Sequence, residues 1–308
     1  MKPTYHLGVN HHLLYPESMV DPAYHLATLP EVLSWPEFEV IDAMCTGDRA
    51  QREEEACLLR MSGKTVVYNS PLYANIPWCD PNSLDPTVML KTHETARQHL
   101  DAAAMCGASL INIASGTNPP RDMRQEAWHG WMNFLCWYGI EAGKRGMRVI
   151  IEPFDQSIGK NLLIGPTRDA VDSVKSARER GIDNVGLMVD MGHLPIMGET
   201  FAHAVQLSAP YLWHVHLGSA VIRDADHAWY GDCHPPFDIP AGEHGVSHLA
   251  AFLGELVTAG YFEQPEPTLT FEMRPYAGIS QRESVDRWLA MLEQAWQLVE
   301  EEKQKCVS

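Results

Sequence analysis

The chain has 308 residues, 45% of them hydrophobic, with 40 acidic against 23 basic side chains and a formal charge of −17 at pH 7. That apolar content can build a sizeable core and excludes a fully disordered chain. The acidity argues against nucleic-acid binding, which draws its affinity from Lys and Arg on phosphates, and against a basic helix lying on a membrane.

Length allows one α/β barrel of about 250 residues or two domains of about 100–200. The seven cysteines (Cys45, Cys57, Cys79, Cys106, Cys136, Cys233, Cys306) are odd in number and lack CxxC spacing. They read as reduced thiols, not as a disulfide framework or a thiolate zinc site. The N-terminal residues run into a strand without an apolar leader, and no apolar run approaches the ~20 residues of a membrane span. The expectation is a cytoplasmic protein with neither a membrane nor a nucleic-acid partner.

Eight short apolar strands alternate with helical segments. The first is Tyr5–Val9, ending in Asn10-His11-His12, followed by Phe38–Ile41, Thr65–Tyr68 and Leu110–Ala114. Arg148–Glu152, Gly186–Asp190, Leu212–His216 and Leu269–Glu272 complete the set. Strand then helix, eight times over, predicts a single (β/α)8 TIM barrel across residues 1–308. Asp85-Pro86 opens one helix and Gly107 closes it. Trp128, Trp131, Leu135 and Tyr138 recur at helical spacing before Gly146, and a third helix runs from about Pro166 to Gly181. The last helix opens on a capping box, Ser280 with Glu283, and carries the stripe Val285, Trp288, Leu289, Leu292, Trp296 and Val299. Two connections are too long for plain turns. Ser70 to Leu84 follows the third strand, and Gly218 to about His248 follows the seventh. Loops above about 12–15 residues are usually functional, and both lie on the face where barrels keep their active sites. Trp78, in the first of them, is a candidate for substrate contact.

Four strands end in metal-type ligands: Glu152, Asp190, His216 and Glu272. Val149 and Ile151, Leu187 and Val189, Leu269 and Phe271 have the opposite parity and suit the helix ring, so the three acids fall toward the barrel axis, and His216 can join them. Three carboxylates converging there repel one another unless a cation sits between them. One His with three carboxylates suits a divalent ion such as Mn²⁺, Mg²⁺ or Co²⁺ better than a thiolate-seeking metal. At the same rim, His11 and His12 end the first strand and one of them is placed to meet substrate. Arg274, two residues past Glu272, can hold a carboxylate or hydroxyl oxygens. His214 shares the parity of His216 at a deeper level and reads either as support for the site or as a satisfied core histidine.

Order and context resemble the xylose-isomerase-like superfamily of sugar isomerases and epimerases. Glu152 matches the family's fifth-strand glutamate, Asp190-Met-Gly-His193 its Asp-x-x-His, His216 its seventh-strand histidine, and Glu272 its last-strand glutamate. The resemblance implies one divalent metal, most often Mn²⁺, held by Glu152, Asp190, His216 and Glu272. It also implies acid–base roles for Glu152 and Glu272, with His193 touching substrate or supporting the site. The chemistry is loss of a proton beside a metal-bound carbonyl, giving an enediolate.

The seventh loop is longer than in ordinary epimerases. Arg223, seven residues past His216, is the candidate for the arginine that relatives carry soon after that histidine, and His227, Trp229, Tyr230, Asp232, His234 and Phe237 add polar and aromatic groups over the mouth. His234 is a candidate substrate contact. The run Gly231-Asp-Cys-His-Pro-Pro-Phe237 is similar to the catalytic subunits of C-glycoside deglycosidases, lyases that cleave a sugar–aryl C–C bond of a 3-keto sugar. An epimerase implies a sugar or keto-sugar substrate and a homo-oligomer. A deglycosidase implies pairing with a small β-rich subunit. From another class, a non-catalytic carbohydrate-binding or scaffold barrel fits the same fold. A Schiff-base aldolase is disfavoured because no strand ends in lysine, and a nicotinamide enzyme because Asn-His-His stands where GxGxxG would be.

Overall fold

The computed structural model describes residues 2–307, with side chains to Lys305, so Cys306 lies outside the described side chains. Eight parallel strands close into a barrel in chain order: β1 (His6–Asn10), β2 (Val40–Ala43), β3 (Thr65–Asn69), β4 (Leu110–Ile113), β5 (Arg148–Ile151), β6 (Val185–Asp190), β7 (Leu212–Leu217) and β8 (Thr268–Phe271). Helices Pro22–Leu33, Arg49–Met61, Pro86–Cys106, Arg124–Lys144, Thr167–Glu179, Phe201–Ser208, Val246–Thr258 and Gln281–Val307 follow the strands in turn. The protein is a (β/α)8 TIM barrel.

The helix ends follow their local chemistry. The Asp85 carboxylate accepts from the Thr87 and Val88 amides at 2.7 and 3.4 Å, and Gly107 closes the same helix at φ +75°, a left-handed conformation that a side chain would strain. Glu283 accepts from the Ser280 amide at 2.8 Å while Ser280 Oγ accepts from the Glu283 amide at 3.2 Å, completing the capping box. Val285, Trp288, Leu292, Trp296 and Val299 are buried beneath that helix, and Leu289 sits half-buried at the edge of the stripe. The second strand starts two residues later than its sequence suggests, at Val40, and runs to Ala43. Phe38 instead packs its ring edge-on against Phe271, 6.4 Å between centroids.

Side-chain parity sorts the barrel into layers. Val149, Ile151, Leu187, Val189, Leu269 and Phe271 face outward into the core shared with the helices. Val40, Val67, Leu110, Ile150 and Met188 fill the barrel's lower interior, with Trp213 against them. Above that plug lies a wholly buried polar layer of Asp42, His214 and Thr270. Gly8 makes room for it: a Cβ there would stand 2.4 Å from Thr270 Oγ1 and 2.9 Å from Val40 Cβ. Gly8→Ala is expected to destabilise the fold by about 1–3 kcal/mol through overpacking. A denaturation midpoint equal to that of the parent would show that the layer relaxes freely.

The six cysteines whose side chains are described are free thiols. Among the described residues, no helix is long and apolar enough to cross a membrane.

Candidate metal centre

The upper end of the barrel gathers Glu152, just past β5, with Asp190 ending β6, His216 in β7 and Glu272 just past β8. One ligand-type atom from each lies within 4.8 Å of the others, and all four side chains are buried. Each carboxylate fixes one oxygen on a protein donor and leaves the other toward the shared centre. Asn112 Nδ2 donates to Glu152 Oε2 at 3.1 Å, Asn10 Nδ2 to Glu272 Oε1 at 2.8 Å, and the Gly192 amide to Asp190 Oδ1 at 2.6 Å. Glu152 Oε1 then stands 3.9 Å from His216 Nδ1. Glu272 Oε2 approaches the same Nδ1 to 2.5 Å, yet Asp190 Oδ2, Glu272 Oε2 and His216 Nδ1 are all buried without a hydrogen-bond partner. Buried polar atoms are almost always paired, so three unpaired atoms within one cluster suit the binding of a cation.

Electrostatics agree with that fit. Burial, with the Glu272 carboxylate adding to it, pushes Glu152 up to about 8. Burial also raises Asp190 to about 6, partly countered by His193. His216 goes the other way: burial opposes its protonation, but the Glu272 and Asp42 carboxylates hold it well above the usual imidazole range. At neutral pH the protons sit on Glu152 and His216, while burial of Glu272 is outweighed by His216 and His234, which hold its carboxyl well below the usual range. One hard divalent ion can replace those protons.

Two loops build a cap over this centre. In the loop after β5, Asp155 accepts the backbone amides of Ser157, Ile158, Gly159 and Lys160, a tight turn that brings Lys160 to the mouth. Its Nζ lies 3.1 Å from Asp232 Oδ2 in the loop after β7. Asp232 Oδ1 stands 2.7 Å from His234 Nε2 and 3.2 Å from His193 Nε2. His234 is held at φ +51°, uncommon for a residue with a side chain, and its carbonyl accepts from the Arg274 amide at 2.8 Å. Burial works against its charge, but Asp232 and Glu272 raise its pKa to about 9.

Between cap and barrel lies a cavity of about 430 Å³, within the range of small-molecule pockets. Its polar side includes Asn69, Asn112, Glu152, Lys160, Asp232, His234, Glu272 and Arg274. Leu13, Met19, Met44, Leu72, Ile76 and Phe154 line it with apolar surface.

The model of a known family, the xylose isomerase-like TIM barrel, matches residues 46–295. The chain belongs to that family. No curated protein matches the sequence. Among solved structures, D-psicose 3-epimerase from Clostridium cellulolyticum H10, with D-tagatose, superposes with a TM-score of 0.63 at 17% identity, covering 97% of this chain and 98% of that one. A 3-keto-D-glucoside 4-epimerase from E. coli gives 0.65 at 15% identity, covering 94% and 99%. A family 2 AP endonuclease from Brucella melitensis gives 0.64 at 15%, covering 93% and 98%. Likeness at this distance establishes the fold, and the choice of chemistry falls to the site.

Within this xylose isomerase-like barrel, Glu152, Asp190, His216 and Glu272 meet at one point, with His193 3.3 Å from Asp190 Oδ2. His12, His234 and Arg274 line the cavity. Three other candidates for substrate contact do not. His11 turns away from the mouth, where its Nε2 lies 3.0 Å from Thr28 Oγ1 and its ring packs edge-on against His25. Trp78 is 77% exposed on the outside of its loop, at φ +65°. Arg223 has its side chain 71% exposed and pairs with Glu243. Sequence reasoning missed Asp42, Asn10, Asn69, Asn112 and Lys160. Inward parity was the available signal for the first four, while Lys160 is delivered by a loop turn that no periodicity reveals.

Proposed function

We propose that the protein is a divalent-metal-dependent sugar isomerase or epimerase that removes and returns a proton at a carbon beside a carbonyl. The observation that supports this best is the pairing of Glu152 and Glu272 at one cavity, each with one oxygen anchored by an asparagine amide and the other turned toward the shared centre beside His216. When bound by Glu152, Asp190, His216 and Glu272, a divalent cation supplies the positive charge that acidifies the C–H bond beside a carbonyl. One of the two glutamates takes the proton, and the other can deliver one to the opposite face or the neighbouring carbon. Lys160, His12, Arg274 and His234 line the space where sugar hydroxyls lie, with His193 close beside it. The buried ring of His12, lowered to about 4 by its burial, is neutral at pH 7 and can both donate and accept.

The apolar wall favours a second reading, a carbon–carbon lyase acting on a 3-keto C-glycoside. Leu13, Met44, Leu72, Ile76 and Phe154 offer an aglycone a surface that a bare monosaccharide does not need. The E. coli neighbour named above is called a 3-keto-D-glucoside 4-epimerase, which is sugar chemistry of the same oxidation level.

The deciding experiment incubates the Mn²⁺-loaded protein in D₂O with ketoses, 3-keto sugars and 3-keto C-glycosides. Deuterium entering beside the carbonyl without aglycone release supports the isomerase. Release of aglycone supports the lyase. No exchange with any of them would remove both readings.

A further inference from the structure

Asp42 lies on the barrel axis one layer below the four converging ligands, wholly buried, and it has no role in the reading above. Its Oδ2 is 2.9 Å from His216 Nε2 and 3.0 Å from His214 Nε2, and its Oδ1 accepts from Thr270 Oγ1 at 3.0 Å. Register explains the meeting: Asn10 pairs with Asp42, Asp190 with His216, and His216 with Thr270 around the barrel. We propose that Asp42 is a positioning residue for the metal centre, holding the Nε2 proton of His216 so that the Nδ1 lone pair of that ring is committed to the cation.

The two nitrogens of His216 differ in how they meet carboxylates. Nε2 makes a 2.9 Å hydrogen bond with Asp42 Oδ2, while Nδ1 stands 2.5 Å from Glu272 Oε2 and 3.9 Å from Glu152 Oε1, toward the converging ligands, without making a hydrogen bond. A neutral imidazole carries one proton, and the nitrogen bonded to a carboxylate keeps it. Asp42, His214 and His216 could also be read as a metal site of their own. Their pairing argues otherwise. The two Nε2 atoms already share one oxygen at hydrogen-bond length, Thr268 Oγ1 lies 2.6 Å from His214 Nδ1, and no polar atom of Asp42 or His214 is left unpaired. Asparagine is not equivalent to Asp42 here. Its amide oxygen can still accept from the two Nε2 protons and its NH₂ can donate to Thr270 Oγ1, but it carries no negative charge and so holds the Nε2 proton of His216 more weakly.

This inference rests on the metal centre proposed above, and its test uses Mn²⁺ alone, titrated into the full chain and followed by the electron paramagnetic resonance of free Mn²⁺. Asp42→Asn is expected to weaken binding about 10–100-fold, the usual cost of disabling such a partner, here by removing its charge. Thr270→Val removes another bond to Asp42 at the same depth while leaving His216 its partner, and is expected to stay within about threefold of the parent. Equal losses in the two variants, or unchanged binding in Asp42→Asn, would overturn the assignment. Should Asp42→Asn fail to fold, the parent protein decides. With Zn²⁺ and ¹⁵N-labelled histidine, long-range ¹H–¹⁵N spectra should show His216 protonated at Nε2 and metal-bound at Nδ1, and the reverse pattern would overturn it. A parent protein that binds no metal at all would sink the metal centre itself, an outcome distinct from a bound metal that ignores Asp42.

Discussion

Glu152→Gln and Glu272→Gln are each expected to lower turnover by about a thousandfold, within the usual range for loss of a positioned general acid or base. The amide keeps the size of the side chain and one oxygen for its asparagine donor, Asn112 in one case and Asn10 in the other. The fold should therefore survive, which circular dichroism would check. What each variant loses is a group able to take or give a proton at carbon. Both residues are also proposed ligands, so weaker metal binding must be separated from lost proton transfer. Turnover and solvent deuterium exchange measured at saturating Mn²⁺ make that separation. The proton-transfer roles predict that exchange falls together with turnover even when the metal is fully bound. Near-parental rates in either variant would refute the role of that glutamate.

The readable and unreadable parts of the site differ in the kind of signal that carries them. Glu152, Asp190, His216 and Glu272 stood out because each ends an apolar strand whose outward residues reveal its parity, and the structure keeps those outward residues in the core. Asp42 obeys the same parity but was hidden by two residues of strand register. Phe38 looks like the start of β2, yet its ring packs on Phe271, and the strand runs from Val40 to Ala43. The asparagines Asn10, Asn69 and Asn112 also face inward, but an amide carries no charge to mark it in sequence. Loop positions were the least legible. Trp78 and Lys160 both sit in loops at the mouth. The first is turned outward by its backbone, and the second is brought in by four amides closing on Asp155. Neither turn leaves a periodic trace. Arg223 has only its spacing from His216 to point to the site, and its ion pair with Glu243 lies on the surface.

Removing the metal with a chelator is expected to abolish activity, and Mn²⁺ to restore it, with an affinity that climbs steeply with pH. Binding requires ionised Glu152 and Asp190, which the cation-free site holds at about 8 and about 6, and a His216 ring free of its second proton. At pH 6 a group with a pKa near 8 is ionised in about one molecule in a hundred, so Glu152 alone weakens binding about a hundredfold relative to a pH well above 8. Asp190 and His216 add to this in the same direction. Stability without metal carries the matching signature. A group whose pKa is raised on folding binds more protons in the folded state, so the stability it contributes is lost as pH rises through its folded value. Glu152 at about 8 and His234 at about 9 both follow this rule. Asp42, held near 2 by His214 and His216 against the cost of its burial, acts only in acid and does not oppose them. The metal-free protein should therefore melt at progressively lower temperature from pH 6 to pH 9. The rise in Tm on adding Mn²⁺ should grow over the same interval, because the cation takes over the charge that the protons supplied. An increment in Tm that is flat or shrinking with pH would mean that the four ligands do not exchange protons for metal, and the centre would have to be assigned differently.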